Sequence, residues 1–151
     1  MPRRIEVLAF PDCQLLDVAG PLQVFASAND RARIAGEPAP YEAVVVAVEP
    51  RVRTSSGLEL AVEPLAATEA PLDTLIVAGG FGVYGACEDV GLIDWIRARA
   101  GAARRAASVC SGAFLLASTG LLDGRRAVTH WHRCDEFRAR FPKVRLEPDP
   151  I

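Results

Sequence analysis

The chain has 151 residues (16.2 kDa), is half apolar and 24% charged, and carries a formal net charge of −2. Those values suit one soluble domain around a single core. They exclude a broad nucleic-acid-binding field, because no general excess of Lys and Arg is present to neutralise phosphates.

Met1-Pro2-Arg3-Arg4 leads into an apolar run that Glu6, Pro11 and Asp12 interrupt. It is too short for a signal-peptide core or a membrane span, so a cytoplasmic protein is expected, with no membrane partner. The four cysteines, Cys13, Cys87, Cys110 and Cys134, show no CxxC pair or zinc spacing, and in a reducing compartment they are expected as free thiols. With only two histidines and no clustered carboxylates, neither a metal nor another cofactor is expected.

Strand-like and helix-like segments alternate along the chain. Residues 4–10 read as a strand. A helix follows over 21–29, with Pro21 at a favoured first-turn position. Residues 42–48 form an apolar run suited to a strand buried on both faces. Residues 51–62 resemble a hairpin turning at Ser55-Ser56-Gly57. A buried strand over 73–78 ends in Gly79-Gly80. The periodicity of 89–103 predicts a helix with Leu92, Ile93, Ile96, Ala100 and Ala103 inward and Asp94, Arg97 and Arg99 outward. A strand at 106–109 gives way to a compact segment, 111–119, closed by Gly120. A strand at 126–129, a helix at 133–141 and the start of a strand at 144–146 complete the series. This alternation predicts an α/β fold whose largely parallel sheet is covered on both faces.

In such a sheet the C-terminal ends of the strands share one edge, where ligands bind. Asp17 follows the first strand, Gly79-Gly80-Phe81-Gly82 a later one, Cys110 the strand after that, and His130 the strand at 126–129. Cys110-Ser111-Gly112 passes from strand to helix in one step. That arrangement holds a nucleophile out of the sheet beside helix N–H groups, which are expected to favour thiolate and lower the thiol pKa. Free N–H groups at Gly80 and Phe81 are expected to complete an anion pocket. Asp17, among Leu15, Leu16, Val18 and Ala19, is expected to have a raised pKa and to pair with Cys110. A helix cap is the plainer role for Asp17, and a small buried hydrophobe the plainer one for Cys110.

Several runs together resemble one family. They include Phe10-Pro11, Leu15-Leu16-Asp17-Val18-Ala19-Gly20-Pro21, Gly79-Gly80, Ser108 to Ala117, Gly120 to Ala127, Thr129-His130-Trp131, Cys134-Asp135-Glu136-Phe137, and the closing Glu147 to Ile151. The resemblance is to the ThiJ/PfpI (class I glutamine amidotransferase-like) domain of GlxA-type AraC family regulators, and it covers essentially the whole chain. It implies a flavodoxin-like three-layer α/β/α sandwich and homodimerisation. It also implies that residues 1–151 are a sensor domain lacking its last C-terminal stretch, with a helix-turn-helix module downstream that alone would contact DNA.

The sensor reading that follows places a small-molecule effector among Asp17, Gly80, Phe81, Cys110, Ser111 and His130. The alternative is a stand-alone cysteine enzyme with Cys110 and Asp17 catalytic, most similar to isonitrile hydratase. Ser111 stands where PfpI-type peptidases carry His, so the peptidase chemistry lacks its base. A third possibility is a vestigial fold used only to dimerise.

Overall fold

The structure, a computed structural model, describes residues 1–148. Residues 149–151, part of the closing motif above, lie outside the described residues. A five-stranded sheet forms the centre, in the order β5 (Glu63–Pro64), β2 (Tyr41–Ala47), β1 (Arg3–Leu8), β6 (Thr74–Val77), β7 (Arg105–Ser108). Every pairing in it is parallel. Val7 sits opposite Val45 on one side and Ile76 on the other, so β1 is the central strand.

From β1 the chain crosses to β2 through α1 (Leu15–Ile34). From β6 it crosses to β7 through α2 (Val83–Ala86) and α3 (Val90–Ala102). The two crossovers run in opposite directions, and right-handed connections therefore place α1 and α3 on opposite faces. The result is a central parallel sheet flanked by helices. The hairpin is present as antiparallel β3 (Arg51–Arg53) and β4 (Glu59–Ala61), with Gly57 at φ +88° in its turn. After β7 come α4 (Gly112–Ser118), β8 (Arg126–Ala127), α5 (Cys134–Arg140) and β9 (Arg145–Leu146).

Four expectations need correction. First, the helix after β1 starts at Leu15, which puts Pro21 in its interior. Pro21 cannot donate to the Asp17 carbonyl four residues back. Packing outweighs that loss: Val18 is buried, the Phe25 and Tyr41 rings meet edge to face at 5.0 Å, and the Asn29 amide bonds both backbone groups of Tyr41. Second, β2 is fully buried only at Val46 and Ala47, while Ala43 to Val45 are half-buried.

Third, Arg99 points inward and is fully buried. Its Nε and Nη2 donate to both carboxylate oxygens of the equally buried Glu6, at 2.9 and 2.7 Å, and its Nη1 donates to the carbonyls of Thr68 and Ala70. A charge reads as an outward position, and only its partner on β1 reverses that. Fourth, the strand read at 126–129 is two residues long and pairs with β9, not with the main sheet. The sheet therefore ends at β7, whose Arg105, Ala106 and Ala107 are exposed, so coverage on both faces fails there.

Among the described residues no helix is long and apolar enough to cross a membrane.

Candidate functional site

The loops after β1, β6 and β7 meet where the sheet order reverses. The Gln14 N–H donates to the Gly79 carbonyl at 2.8 Å. Asp17, in the first turn of α1 and 5% exposed, accepts the Gly79 N–H on Oδ2 at 3.0 Å. The Gly80 N–H donates to Ser111 Oγ at 2.9 Å, and that hydroxyl donates to the Gly80 carbonyl at 3.3 Å. Buried Ser111 thus ties the 79–82 turn to the start of α4. It also uses the Gly80 N–H, which is therefore not free to stabilise an anion as expected.

Cys110 has φ +54°, a left-handed conformation that is costly for a residue with a Cβ. The turn is locked on both sides. The Val109 N–H donates to the Val77 carbonyl, and the Gly112 N–H to the Val109 carbonyl, each at 2.9 Å. Gly112 rests on the end of β6, where a Cβ would collide with the Val77 and Ala78 carbonyl oxygens. The left-handed backbone lifts the half-buried thiol off the strand line.

The electrostatics correct one expectation and agree with another. Burial raises the Cys110 thiol pKa, and the Asp17 charge adds to the rise. The Ser111 N–H and hydroxyl and the Arg133 guanidinium oppose it without overcoming it. The helix-start N–H groups are present, but desolvation of the thiolate outweighs them, so Cys110 is held as a thiol. The Asp17 pKa is raised as expected, chiefly by burial, with the Gly79 N–H and His130 pulling the other way.

His130 reaches the site by a different route from the one expected. The Thr129 hydroxyl donates to the Cys110 carbonyl at 3.3 Å, which brings the 129–133 segment beside the elbow. His130 Nδ1 accepts the His132 N–H at 3.3 Å, leaving Nε2 as the free ring nitrogen. Trp131 stacks on His132 and is 70% exposed.

Asp17, Gly80, Cys110, Ser111 and His130 are therefore gathered at one place. Phe81 is not drawn in with them. It is 81% exposed and lines a separate cleft of about 550 Å³ on the far side of the 79–82 turn, together with Phe10, Asp12, Val48 and Asp89. None of Asp17, Cys110, Ser111 or His130 lines that cleft, so it and the reactive groups are distinct.

Two contributors were given no role by sequence reasoning. One is Thr129. The other is Arg133, whose guanidinium lies 4.5 Å from the Tyr84 ring centroid and 4.6 Å from that of Phe114, with Nε on Glu136 at 2.8 Å. Glu136 also accepts from the Tyr84 hydroxyl at 3.1 Å. Apart from Glu136 three residues on, nothing local marks Arg133, since its ring partners come from α2 and α4. Among the described residues no cluster of three or more His, Cys, Asp or Glu side chains is placed to hold a metal ion.

The DJ-1/PfpI family pattern matches residues 3–142. The chain belongs to the DJ-1/PfpI family. It is 38% identical over 142 residues to an uncharacterised protein in the cpoL 5′ region of Streptomyces lividans, covering 93% of this chain and 96% of that one. It is 39% identical over 133 residues to the isonitrile hydratase of Pseudomonas putida, covering 87% of this chain and 54% of the enzyme. It is 46% identical over 81 residues to the HTH-type transcriptional regulator Rv1931c of Mycobacterium tuberculosis, covering 52% of this chain and 31% of the regulator.

Among solved structures, a ThiJ/PfpI family protein from Pseudomonas syringae superposes with TM-score 0.79 at 25% identity, over 100% of this chain and 58% of that one. An AraC family transcriptional regulator from Pseudomonas putida shares the fold at TM-score 0.71 and 21% identity, over 98% of this chain and 77% of that one. Relatives of this DJ-1/PfpI domain thus include both transcriptional regulators and an enzyme.

Proposed function

We propose that this DJ-1/PfpI domain is the ligand-sensing part of an AraC-type transcriptional regulator. A small polar or anionic metabolite enters the crevice at Asp17, Gly80, Cys110, Ser111 and His130. The observation that carries the reading is the 46% identity to a helix-turn-helix regulator of which this chain covers 31%, leaving the remainder of such a protein to contact DNA. The net charge of −2 agrees with a domain that does not itself hold a phosphate backbone.

In this reading the protein is cytoplasmic and homodimeric, and DNA is reached only through a module beyond this chain. The crevice suits a sensor because its groups come from several elements. Asp17 opens α1, Ser111 opens α4, and His130 precedes α5. A ligand that binds one arrangement of these elements better than another shifts the balance by that difference in affinity and no more.

Calorimetry with a panel of polar and carboxylate-bearing metabolites tests the proposal. Binding should be saturable in the wild type and weakened by Cys110→Ala and by Asp17→Asn. Unchanged isotherms in both variants would sink the assigned crevice. The mass of the protein made from the native gene tests the architecture: a product about twice as large has room for a DNA-reading domain.

The 39% identity to an isonitrile hydratase over 87% of this chain favours a second reading. Cys110 Sγ would add to the terminal isonitrile carbon while its proton, relayed by Asp17, reaches that carbon. Water would then displace the thiol to leave an N-substituted formamide. Incubation with an alkyl isonitrile decides it. Formamide produced by wild type and lost in Asp17→Asn establishes the enzyme, and no formamide removes it.

A further inference from the structure

The cleft beyond the 79–82 turn is a built cavity. Its floor is buried and apolar: Ala9, Ala47, Val52, Ala86 and Leu92 are each at most 8% exposed. Two large apolar side chains at its mouth remain in water, Val48 at 54% and Phe81 at 81% exposure. Its volume of about 550 Å³ lies within the range of small-molecule sites.

The walls are fixed by backbone contacts. Asp12 is left-handed at φ +59°, its N–H donates to the Arg53 carbonyl at 2.9 Å, and its carbonyl accepts the Gly82 N–H at 3.1 Å. Gly82 lies so close to Pro11 that a Cβ would overlap the Pro11 carbonyl. The Ser55 N–H donates to the Cys13 carbonyl at 3.0 Å and fastens the hairpin to the same loop. Such a cavity needs little ordering when it is filled.

Its charge is one-sided. Asp12, Glu49 and Asp89 line it, and no Lys, Arg or His does. None of the three forms an ion pair among the described residues. Asp89 Oδ1 accepts the Leu92 N–H as a helix cap, and its Oδ2 is left free. Carboxylates around a low-dielectric floor repel anions and concentrate cations.

We propose that this cleft is a second ligand site, separate from the Cys110 crevice, and that it takes a small organic cation: an apolar body on Ala47, Val52 and Leu92 with a protonated amine among Asp12, Glu49 and Asp89. Phe81, exposed at the mouth, lies beside the same space.

The test is calorimetry on the full chain with 2-phenylethylamine, and with 3-phenylpropionate as the anion of similar shape. The amine binds saturably and more weakly as salt rises, while the carboxylate does not bind. Val48→Arg, at a half-exposed position where the fold survives, weakens the amine about tenfold or more by filling the mouth with a like charge. Glu49→Gln weakens it about threefold, the scale of one partly exposed ion pair. Cys110→Ala leaves it unchanged, which separates this site from the crevice of the sensor reading. Equal binding of the carboxylate, no saturable binding of the amine, or full amine affinity in Val48→Arg would each overturn the proposal.

Discussion

Burial at Asp17 has a consequence whose sign follows from proton linkage. Its carboxyl binds a proton more readily in the folded chain than at its ordinary value of 3.8. Between 3.8 and the raised value the native state holds more protons than the unfolded state, so stability falls as pH rises through that window and stays reduced above it. Asp17→Asn removes that penalty and can still accept the Gly79 N–H. The variant is expected to melt higher than wild type at neutral pH, with the gain shrinking to nothing below pH 3.8. A gain that ignores pH would refute the cause. Because the Asp17 charge also raises the Cys110 pKa, the same substitution should speed alkylation of Cys110 by iodoacetamide at neutral pH, followed by mass spectrometry. Cys110 and Asp17 were legible because each follows a strand in a recognisable local run. The direction of the Cys110 shift was not, because N–H dipoles are written in a strand-to-helix turn whereas desolvation depends on what the rest of the chain brings near. Arg133 was illegible for the same reason, since its surroundings, Tyr84 and Phe114, are distant in sequence.

β1, β2, β6 and β7 of the central sheet, the hairpin and α3 were readable from apolar runs, turn residues and helical spacing, whereas the two-residue edge strand β5 was not. The start of α1 was not, since Pro21 carries a strong local signal for a first turn and only the docking of Val18 and Phe25 on the sheet extends the helix back to Leu15. Pro21→Ala restores a donor for the Asp17 carbonyl, and the gain of one helical bond, about 1 kcal/mol, should raise the melting temperature by about 2–4 °C. Gly112→Ala acts in the opposite direction. Its methyl group has no space against the Val77 and Ala78 carbonyls, so α4 must shift off β6 at a cost of about 1–3 kcal/mol. Denaturant unfolding reads both changes. A neutral Gly112→Ala would mean that the elbow is less tightly seated than its contacts require. The strand predicted at 126–129 failed as a member of the sheet because two residues at β8 find β9 instead, and a single Thr129 hydroxyl does the positioning that a strand was expected to do.

Across the whole molecule, the Glu6–Arg99 pair joins the central strand to α3 and, through the Thr68 and Ala70 carbonyls, to the loop before β6. Arg99→Met alone leaves the buried Glu6 carboxylate with only the Arg4 Nε at 3.3 Å, for which the expected loss is about 3 kcal/mol. Glu6→Leu with Arg99→Met removes both charges and should recover most of that loss in chemical denaturation. An additive double variant would show that the two side chains do not depend on each other. The strand order β5-β2-β1-β6-β7 also sets an order in time. Amide hydrogens of β1, bonded between two neighbours and capped by α1 and α3, should exchange with deuterium only when the entire chain opens. Those of β7, whose residues from Arg105 to Ala107 face water, should exchange through small local openings. A deuterium clock run on this protein would therefore start beside the cysteine-bearing turn and reach the middle of the sheet last.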